Sequence, residues 1–176
     1  MPKTEDAIAK KGRKMTISVG DKLPDAMLIK MGEEGPEQIS VSSLTEGRSV
    51  VLFAVPGAYT GVCTTAHVPS FIRTKDQFME RGVEEIICVS VNDPFVMSTW
   101  GETTGASEAG IVMVGDPSAE FTKALGMAFT APPAGLINRS KRYAMLVMDG
   151  EVKVLNIEDS PGECGISAGE GLLDDM

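Results

Sequence analysis

The sequence is poor in histidine and cysteine, and these shortages exclude several kinds of site. His67 is the single histidine, so a zinc site made of several imidazoles and a relay of two histidines are both excluded. Three cysteines in 176 residues are too few and too odd in number for a disulfide framework. This cysteine usage favours a reducing compartment, and we expect a cytoplasmic protein.

Positive charge and long apolar runs are also scarce. Sixteen basic against 25 acidic residues give a formal net charge of −9, which argues against a nucleic-acid partner. The longest apolar run covers residues 50–56, far short of the roughly 20 residues that span a bilayer, so we expect no membrane segment. Residues 1–15 are polar and lack the apolar stretch of a secretory signal, which predicts an N-terminal tail. A single domain over residues 16–176 is the expectation for this length.

Strand-like and helical segments alternate along the first part of that domain. The apolar run SVVLFAV, residues 49–55, is typical of a strand buried on both faces. Further strands are predicted at 85–91 and 111–114. Asp93 and Pro94 should cap and begin a helix to about residue 103, and Asp116 and Pro117 should do the same for a helix that includes Ala128.

Antiparallel hairpins are predicted on either side of these βα units. A turn at residues 32–36 separates two apolar stretches, 26–31 and 38–41, and Asp149-Gly150 joins strands at 142–148 and 151–157. A short helix is predicted within residues 167–176. The expected fold is therefore α/β: a mixed central β-sheet with helices on both faces and an N-terminal hairpin extension.

The segment PGAYTGVC directly follows the first buried strand. If Thr60 is the N-cap of a helix over residues 62–81, which Pro69 should kink, then Cys63 lies in its first turn. Helix N-termini favour anions, and they or nearby cations lower a cysteine pKa from about 8.5 to roughly 3.5–7.5. This placement is typical of a reactive thiolate, although a small buried hydrophobe is the common alternative for a free cysteine.

The same segment resembles the peroxidatic motif P-x-x-x-T-x-x-C of the peroxiredoxins. The stretches VVLFAVPGAYTGVCTTAHVPSF, IICVSVNDPFVMSTWG and RSKRYAMLVMDGEVKVLNIE are similar in order and spacing to the peroxiredoxin-5 or type II subfamily, over residues 17–157. The resemblance implies a thioredoxin-like fold. It also implies an antioxidant thiol peroxidase that reduces hydrogen peroxide and alkyl hydroperoxides through a cysteine sulfenic acid, without metal, flavin or nucleotide.

Four residues take catalytic roles from this resemblance. Cys63 matches the peroxidatic cysteine, whose thiolate attacks the O–O bond. Thr60 could accept a hydrogen bond from the Cys63 N–H and turn its hydroxyl toward the sulfur or the peroxide. Arg142 would stabilise the thiolate and the developing charge with guanidinium donors. Pro56 would wall off the site and hold the loop.

More than one role is open for His67 and for the other two cysteines. His67 lies four residues after Cys63, on the same helical face, and could serve as its base; the resemblance places it in the pocket wall instead. The sulfenic acid must then be reduced by a second thiol, from Cys164, from Cys88, or from glutathione or glutaredoxin acting directly. Cys164 is favoured over Cys88 because a loop moves at less cost than a core strand.

The resemblance also implies partners, and functions other than a peroxidase must be compared with it. The resemblance implies a noncovalent homodimer and glutaredoxin, glutathione or thioredoxin as electron donor. A disulfide reductase would need C-x-x-C, but Thr64, Thr65 and Ala66 follow Cys63. A cysteine hydrolase would need a histidine–acid relay that a lone His67 serves poorly. A non-enzymatic peroxide sensor or holdase that uses the same thiol remains the alternative.

Overall fold

The computed structural model describes residues 16–176, so the predicted tail at residues 1–15 lies outside the described part. One sheet has seven strands and a second has two. In chain order the strands are β1 (Met27–Gly32), β2 (Gly35–Ser40), β3 (Ser49–Val55), β4 (Glu85–Ser90), β5 (Val112–Gly115), β6 (Ala128–Ala131), β7 (Leu136–Ser140), β8 (Tyr143–Met148) and β9 (Glu151–Ile157).

Short helices connect these strands. They are α1 (Val41–Thr45), α2 (Val68–Glu80), α3 (Pro94–Thr104), α4 (Glu120–Ala124) and α5 (Gly169–Asp174), with a π-helical turn at Cys63–His67 and a 3₁₀ turn at Pro132–Ala134. Between residues 16 and 176, no helix combines the length and the apolar character needed to span a membrane.

The main sheet has the order β2-β1-β5-β4-β3-β8-β9. Strands β3, β4 and β5 run parallel, as expected for βαβ units, while β8 lies antiparallel to β3 and β9 antiparallel to β8. The N-terminal hairpin of β1 and β2 extends the sheet beyond β5. The predicted mixed sheet and its hairpin extension are therefore confirmed.

Strand β3 lies near the middle of this sheet and separates two apolar cores. Val51, Phe53 and Val55 pack on one side with residues of α2, α3 and α5, while Val50 and Leu52 pack on the other with residues of α1 and α4. Helices thus cover both faces, as predicted. Because β3 is fully buried from Val50 to Val55, the loop that follows it emerges from a rigid base.

The boundaries of the helices α1 and α4 differ from prediction. Helix α4 begins at Glu120 rather than Pro117, because the Asp116 carboxylate accepts from the N–H groups of Phe121 and Thr122, several residues on. The helix ends at Ala124, and Ala128 lies in β6, so its assignment to the helix was wrong. Val41 begins α1 rather than ending β2, because the Ser40 hydroxyl caps the helix at Ser43 N.

The predicted helix over residues 62–81 forms, and a π-helical turn interrupts it. The N–H of Val68 donates to the carbonyl of Cys63, five residues back, instead of four. Pro69 follows at once and has no N–H to continue the α-helical pattern. The widened turn, which contains Cys63 and His67, lies before Pro69, whereas the prediction was a kink at Pro69 itself.

Candidate active site

The loop between β3 and the π-helical turn is tightly anchored. The backbone N–H and the hydroxyl of Thr60 both donate to the Gly57 carbonyl, at 3.4 and 2.7 Å. The N–H of Ala58 donates to Asn92 Oδ1 at 3.0 Å, and Arg139 Nη1 donates to the Pro56 carbonyl at 3.3 Å. A Cβ at Gly57 would lie 2.6 Å from Arg139 Nη1, so a larger residue there would displace the end of the arginine side chain. The sequence did not single out Asn92, which ties the loop to the end of β4.

Thr60 acts as a cap through its backbone rather than through its side chain. The N–H of Thr64 donates to the Thr60 carbonyl at 3.1 Å, which is the first bond of the helix and places Cys63 in the first turn as predicted. The hydroxyl was predicted to accept from the Cys63 N–H and to face the sulfur or the peroxide. In this structure the hydroxyl donates its proton to the Gly57 carbonyl, so that proton is not directed at the sulfur.

Arg142 lies directly against the Cys63 sulfur. Its Nη2 donates to Cys63 Sγ at 3.0 Å, and both side chains are buried, with 2% and 0% of their surface exposed. The two residues are 79 positions apart and meet because β8, which Arg142 immediately precedes, pairs with β3. A hydrogen bond from a cationic donor is stronger than one between neutral groups, and it is worth more in a buried site than in water.

His67 holds the other arm of the guanidinium. Its Nδ1 lies 2.9 Å from Arg142 Nη1, and its Nε2 lies 2.9 Å from the Ser167 carbonyl oxygen. A carbonyl only accepts and a guanidinium only donates, so the proton of the neutral ring is on Nε2 and Nδ1 accepts from Arg142.

The pKa of His67 is lowered from 6.5 to about 3. Burial is the main cause and the Arg142 charge adds to it, while the hydrogen bond to the Ser167 carbonyl partly offsets both. An imidazole this weakly basic cannot retain a proton taken from a thiol at neutral pH. The geometry therefore favours a residue that orients Arg142 over the catalytic base that the i, i+4 spacing allowed. His67 is fully buried and does not line the cavity beside the site, so its expected place in the pocket wall is not what the structure shows.

Residues 158–168 connect β9 to α5, and we call this segment the C-terminal loop. It contacts the Arg142 side chain. Its Pro161 carbonyl accepts from Arg142 Nη2 at 3.0 Å and from Nε at 3.4 Å, and its Ser167 carbonyl binds His67. These contacts could not be predicted from the sequence, because every residue has a backbone carbonyl. Two carbonyls of one loop thus fix the arginine and its neighbour.

A cavity of about 280 Å³ opens beside this cluster. The predicted residues Pro56, Thr60 and Arg142 line it, together with Leu136 and Pro161, which the sequence had not indicated. Much of the lining is apolar, and Arg142 is the only charged side chain in it. A pocket with this lining suits a small molecule that has an apolar part and one polar group directed to the arginine.

Cys88 and Cys164 differ sharply in their surroundings. Cys88 is fully buried on β4, next to Phe53 of β3. Burial raises the pKa of its thiol well above the usual value. The Cys63 charge raises this pKa further, and the Arg142 charge partly offsets the increase. Cys164 is half-buried in the C-terminal loop, and burial raises the pKa of its thiol more moderately, against the influence of Arg142. All three cysteines are free thiols.

Metal chemistry has no visible site in the described region. Across residues 16–176, no group of three or more histidine, cysteine, aspartate or glutamate side chains is arranged to hold a metal ion.

Comparisons with known proteins identify the family of this chain. Residues 18–173 match the Redoxin family. The chain is 46% identical to the chloroplastic peroxiredoxin-2E-2 of Oryza sativa subsp. japonica, over 90% of this chain and 72% of the relative. It is 43% identical to peroxiredoxin-2B of Arabidopsis thaliana, over 89% of this chain and 96% of the relative.

Solved structures of peroxiredoxins have the same fold. Reduced Prx3 of Vibrio vulnificus in complex with hydrogen peroxide superposes with a TM-score of 0.84 at 43% identity, covering 91% of this chain and 99% of that one. Peroxiredoxin 5 of Alvinella pompejana superposes with a TM-score of 0.77 at 33% identity, covering 89% and 96%. The chain therefore belongs to the Redoxin family, and within it to the peroxiredoxins of the type II, peroxiredoxin-5-like group.

Proposed function

We propose that this peroxiredoxin performs its thiol peroxidase reaction at Cys63, with Arg142 as the electrostatic partner of the sulfur. The observation that supports this assignment is the 3.0 Å contact from Arg142 Nη2 to Cys63 Sγ in a buried site beside the cavity. Cys88 and Cys164 lack a comparable donor: their pKa values are raised by burial.

The first step is an in-line displacement on the peroxide. The Cys63 thiolate attacks one peroxide oxygen, a new S–O bond forms, and the O–O bond breaks. Sulfur is oxidised to sulfenic acid, and the leaving oxygen takes the electron pair and a proton to become water or an alcohol. Negative charge moves from sulfur onto the leaving oxygen, so a guanidinium that contacts the sulfur and lines the pocket stabilises both ends of the reaction.

Cys164 is the resolving thiol in this proposal. Its thiol attacks the Cys63 sulfenic acid, a disulfide forms, and the sulfenic oxygen leaves as water. Cys164 is half-buried in a loop, whereas Cys88 is buried in the middle of a parallel ladder that would have to open for the sulfurs to meet. A dithiol donor of the thioredoxin type then reduces the disulfide, and glutathione or glutaredoxin is the alternative donor.

The assembly and location are proposed on separate observations. Tyr59 in the active-site loop, Phe95 in α3 and Ile137 next to the pocket residue Leu136 are each more than half exposed. Large apolar side chains near one site are typical of a contact surface, and they support a noncovalent homodimer through this face. Three free cysteines support a reducing compartment such as the cytoplasm, although relatives include chloroplastic proteins.

Multiple turnover is the test of this function. Reduced protein is mixed with hydrogen peroxide or an alkyl hydroperoxide in the presence of thioredoxin, thioredoxin reductase and NADPH. We expect rapid oxidation of the protein followed by continuous NADPH consumption. A single slow oxidation without turnover would support the sensor or holdase alternative instead.

A further inference from the structure

Glu158 is a buried carboxylate that none of the steps above uses. It is 9% exposed, it directly follows β9, and its own N–H donates to the carbonyl of Arg142 at 3.0 Å. One oxygen, Oε1, accepts three hydrogen bonds: from Gly165 N at 2.7 Å, Ser167 N at 2.9 Å and Ser167 Oγ at 2.8 Å. Both donor residues belong to the C-terminal loop, so this one carboxylate holds its two ends together.

The loop that Glu158 closes is the one that supports the guanidinium. Its Ser167 carbonyl binds His67, whose Nδ1 accepts from Arg142, and its Pro161 carbonyl accepts from Arg142 directly. Each contact depends on where a backbone carbonyl lies. A loop with a free end would not keep these carbonyls in place, because eleven residues without regular structure have many conformations of similar energy.

Electrostatics favour an ionised carboxylate at this position. Burial acts to raise the pKa of Glu158, but the hydrogen bonds from Ser167 and Gly165 and the Arg142 charge outweigh it and lower the pKa below 4.5. The carboxylate is thus charged at neutral pH and makes strong, charge-assisted bonds to the loop.

We propose that Glu158 is a positioning residue of the peroxidase: by closing the C-terminal loop it sets the Arg142 guanidinium against the Cys63 sulfur. It touches neither the sulfur nor the peroxide and acts through the Ser167 and Pro161 carbonyls. Because Cys164 lies between Pro161 and Ser167, the same carboxylate holds the candidate resolving thiol at its starting position. The proposal rests on the proposed function of Cys63 and Arg142.

The test is Glu158→Gln with Glu163→Gln as the matched control. Glu163 is exposed in the same loop, so the control makes the same change of charge without touching the buried bonds. In stopped-flow oxidation by hydrogen peroxide, we expect Glu158→Gln to react about tenfold more slowly than the wild type, the equivalent of about 1.4 kcal/mol. Glu163→Gln should react at the wild-type rate.

A second readout separates positioning from general loss of structure. His67 is the single histidine, so ¹⁵N NMR of the imidazole reports one residue without ambiguity. In the wild type its pKa is about 3. In Glu158→Gln we expect a folded protein in which that pKa moves upward toward 6.5, because the Ser167 carbonyl and the loop no longer exclude water from the ring.

Each outcome decides the proposal. A folded Glu158→Gln protein with wild-type oxidation rate and an unchanged His67 titration overturns it. If Glu158→Gln does not fold, Ser167→Ala decides: it removes one of the three bonds, and oxidation about threefold slower supports the proposal, whereas an unchanged rate overturns it. If the wild type itself does not turn over peroxide, the proposed function is refuted instead. The two failures can therefore be distinguished.

Discussion

Arg142 donates one hydrogen bond to the sulfur of Cys63 and a second to the ring of His67, and the ring nitrogen Nδ1 lies 2.9 Å from Arg142 Nη1. The guanidinium is therefore held from three sides, by the sulfur, by the imidazole and by the Pro161 carbonyl. Its planar fork faces the sulfur in one orientation, which a flexible ammonium group would not reproduce.

Removing the guanidinium should slow the reaction with peroxide strongly. Arg142→Gln removes the charge that contacts sulfur, and we expect the rate of Cys63 oxidation to fall by about 10²- to 10³-fold, the usual effect of losing one preorganised donor. Lys141→Gln is the matched control, because Lys141 is adjacent and exposed. Stopped-flow oxidation measures both; similar rates in the two variants would refute the role of Arg142.

The role of His67 can be separated from base catalysis by two substitutions. Glutamine can accept from Arg142 with its carbonyl oxygen and donate to the Ser167 carbonyl with its amide, but it has no basicity. We therefore expect His67→Gln to keep the oxidation rate within about threefold, and His67→Leu to lower it about tenfold because one charged hydrogen bond is lost. A His67→Gln protein as slow as His67→Leu would favour a base.

Acidification should destabilise the protein through His67. Its pKa is about 3 when folded and 6.5 when unfolded, so between these values the unfolded chain binds the extra proton. The free energy of unfolding should therefore fall as the pH falls, by about 2 kcal/mol from this residue between pH 7 and pH 5. Urea unfolding at several pH values checks this, and His67→Gln should show a correspondingly weaker dependence over the same range.

The two candidate resolving cysteines give different oxidised products. After treatment with one equivalent of hydrogen peroxide, we expect mass spectrometry to find a Cys63–Cys164 disulfide in the wild type and in Cys88→Ser. In Cys164→Ser we expect sulfenic acid or a mixed disulfide with added glutathione instead. A Cys63–Cys88 disulfide in the wild type would overturn the assignment of Cys164.

Much of the fold could be predicted because its strands have strong patterns. The continuous apolar run of β3 and the Asp149-Gly150 turn each identify one element with little ambiguity. The β6–β7 pair was missed because alanine and proline around residues 128–135 give no alternating pattern. The π-helical turn also had no signal, because its residues are spaced as in an ordinary helix.

Only the parts of the site that depend on local side-chain chemistry could be predicted from the sequence. Cys63 and its place in the first turn follow from the position of Thr60 after a buried strand. The resemblance pointed to Arg142, but not to its second bond with His67 or to the direction of the Thr60 hydroxyl, which depend on packing. Glu158 was not predicted, because the donors that it binds belong mainly to the backbone.

In the function that we propose, Cys63 is the sulfur that reacts with peroxide. The most direct test compares wild type, Cys63→Ser and Cys164→Ser in NADPH-coupled turnover with thioredoxin and hydrogen peroxide. We predict sustained turnover for the wild type, none for Cys63→Ser, and rapid initial oxidation of Cys164→Ser with little turnover. Substantial turnover by a folded Cys63→Ser protein would contradict the account.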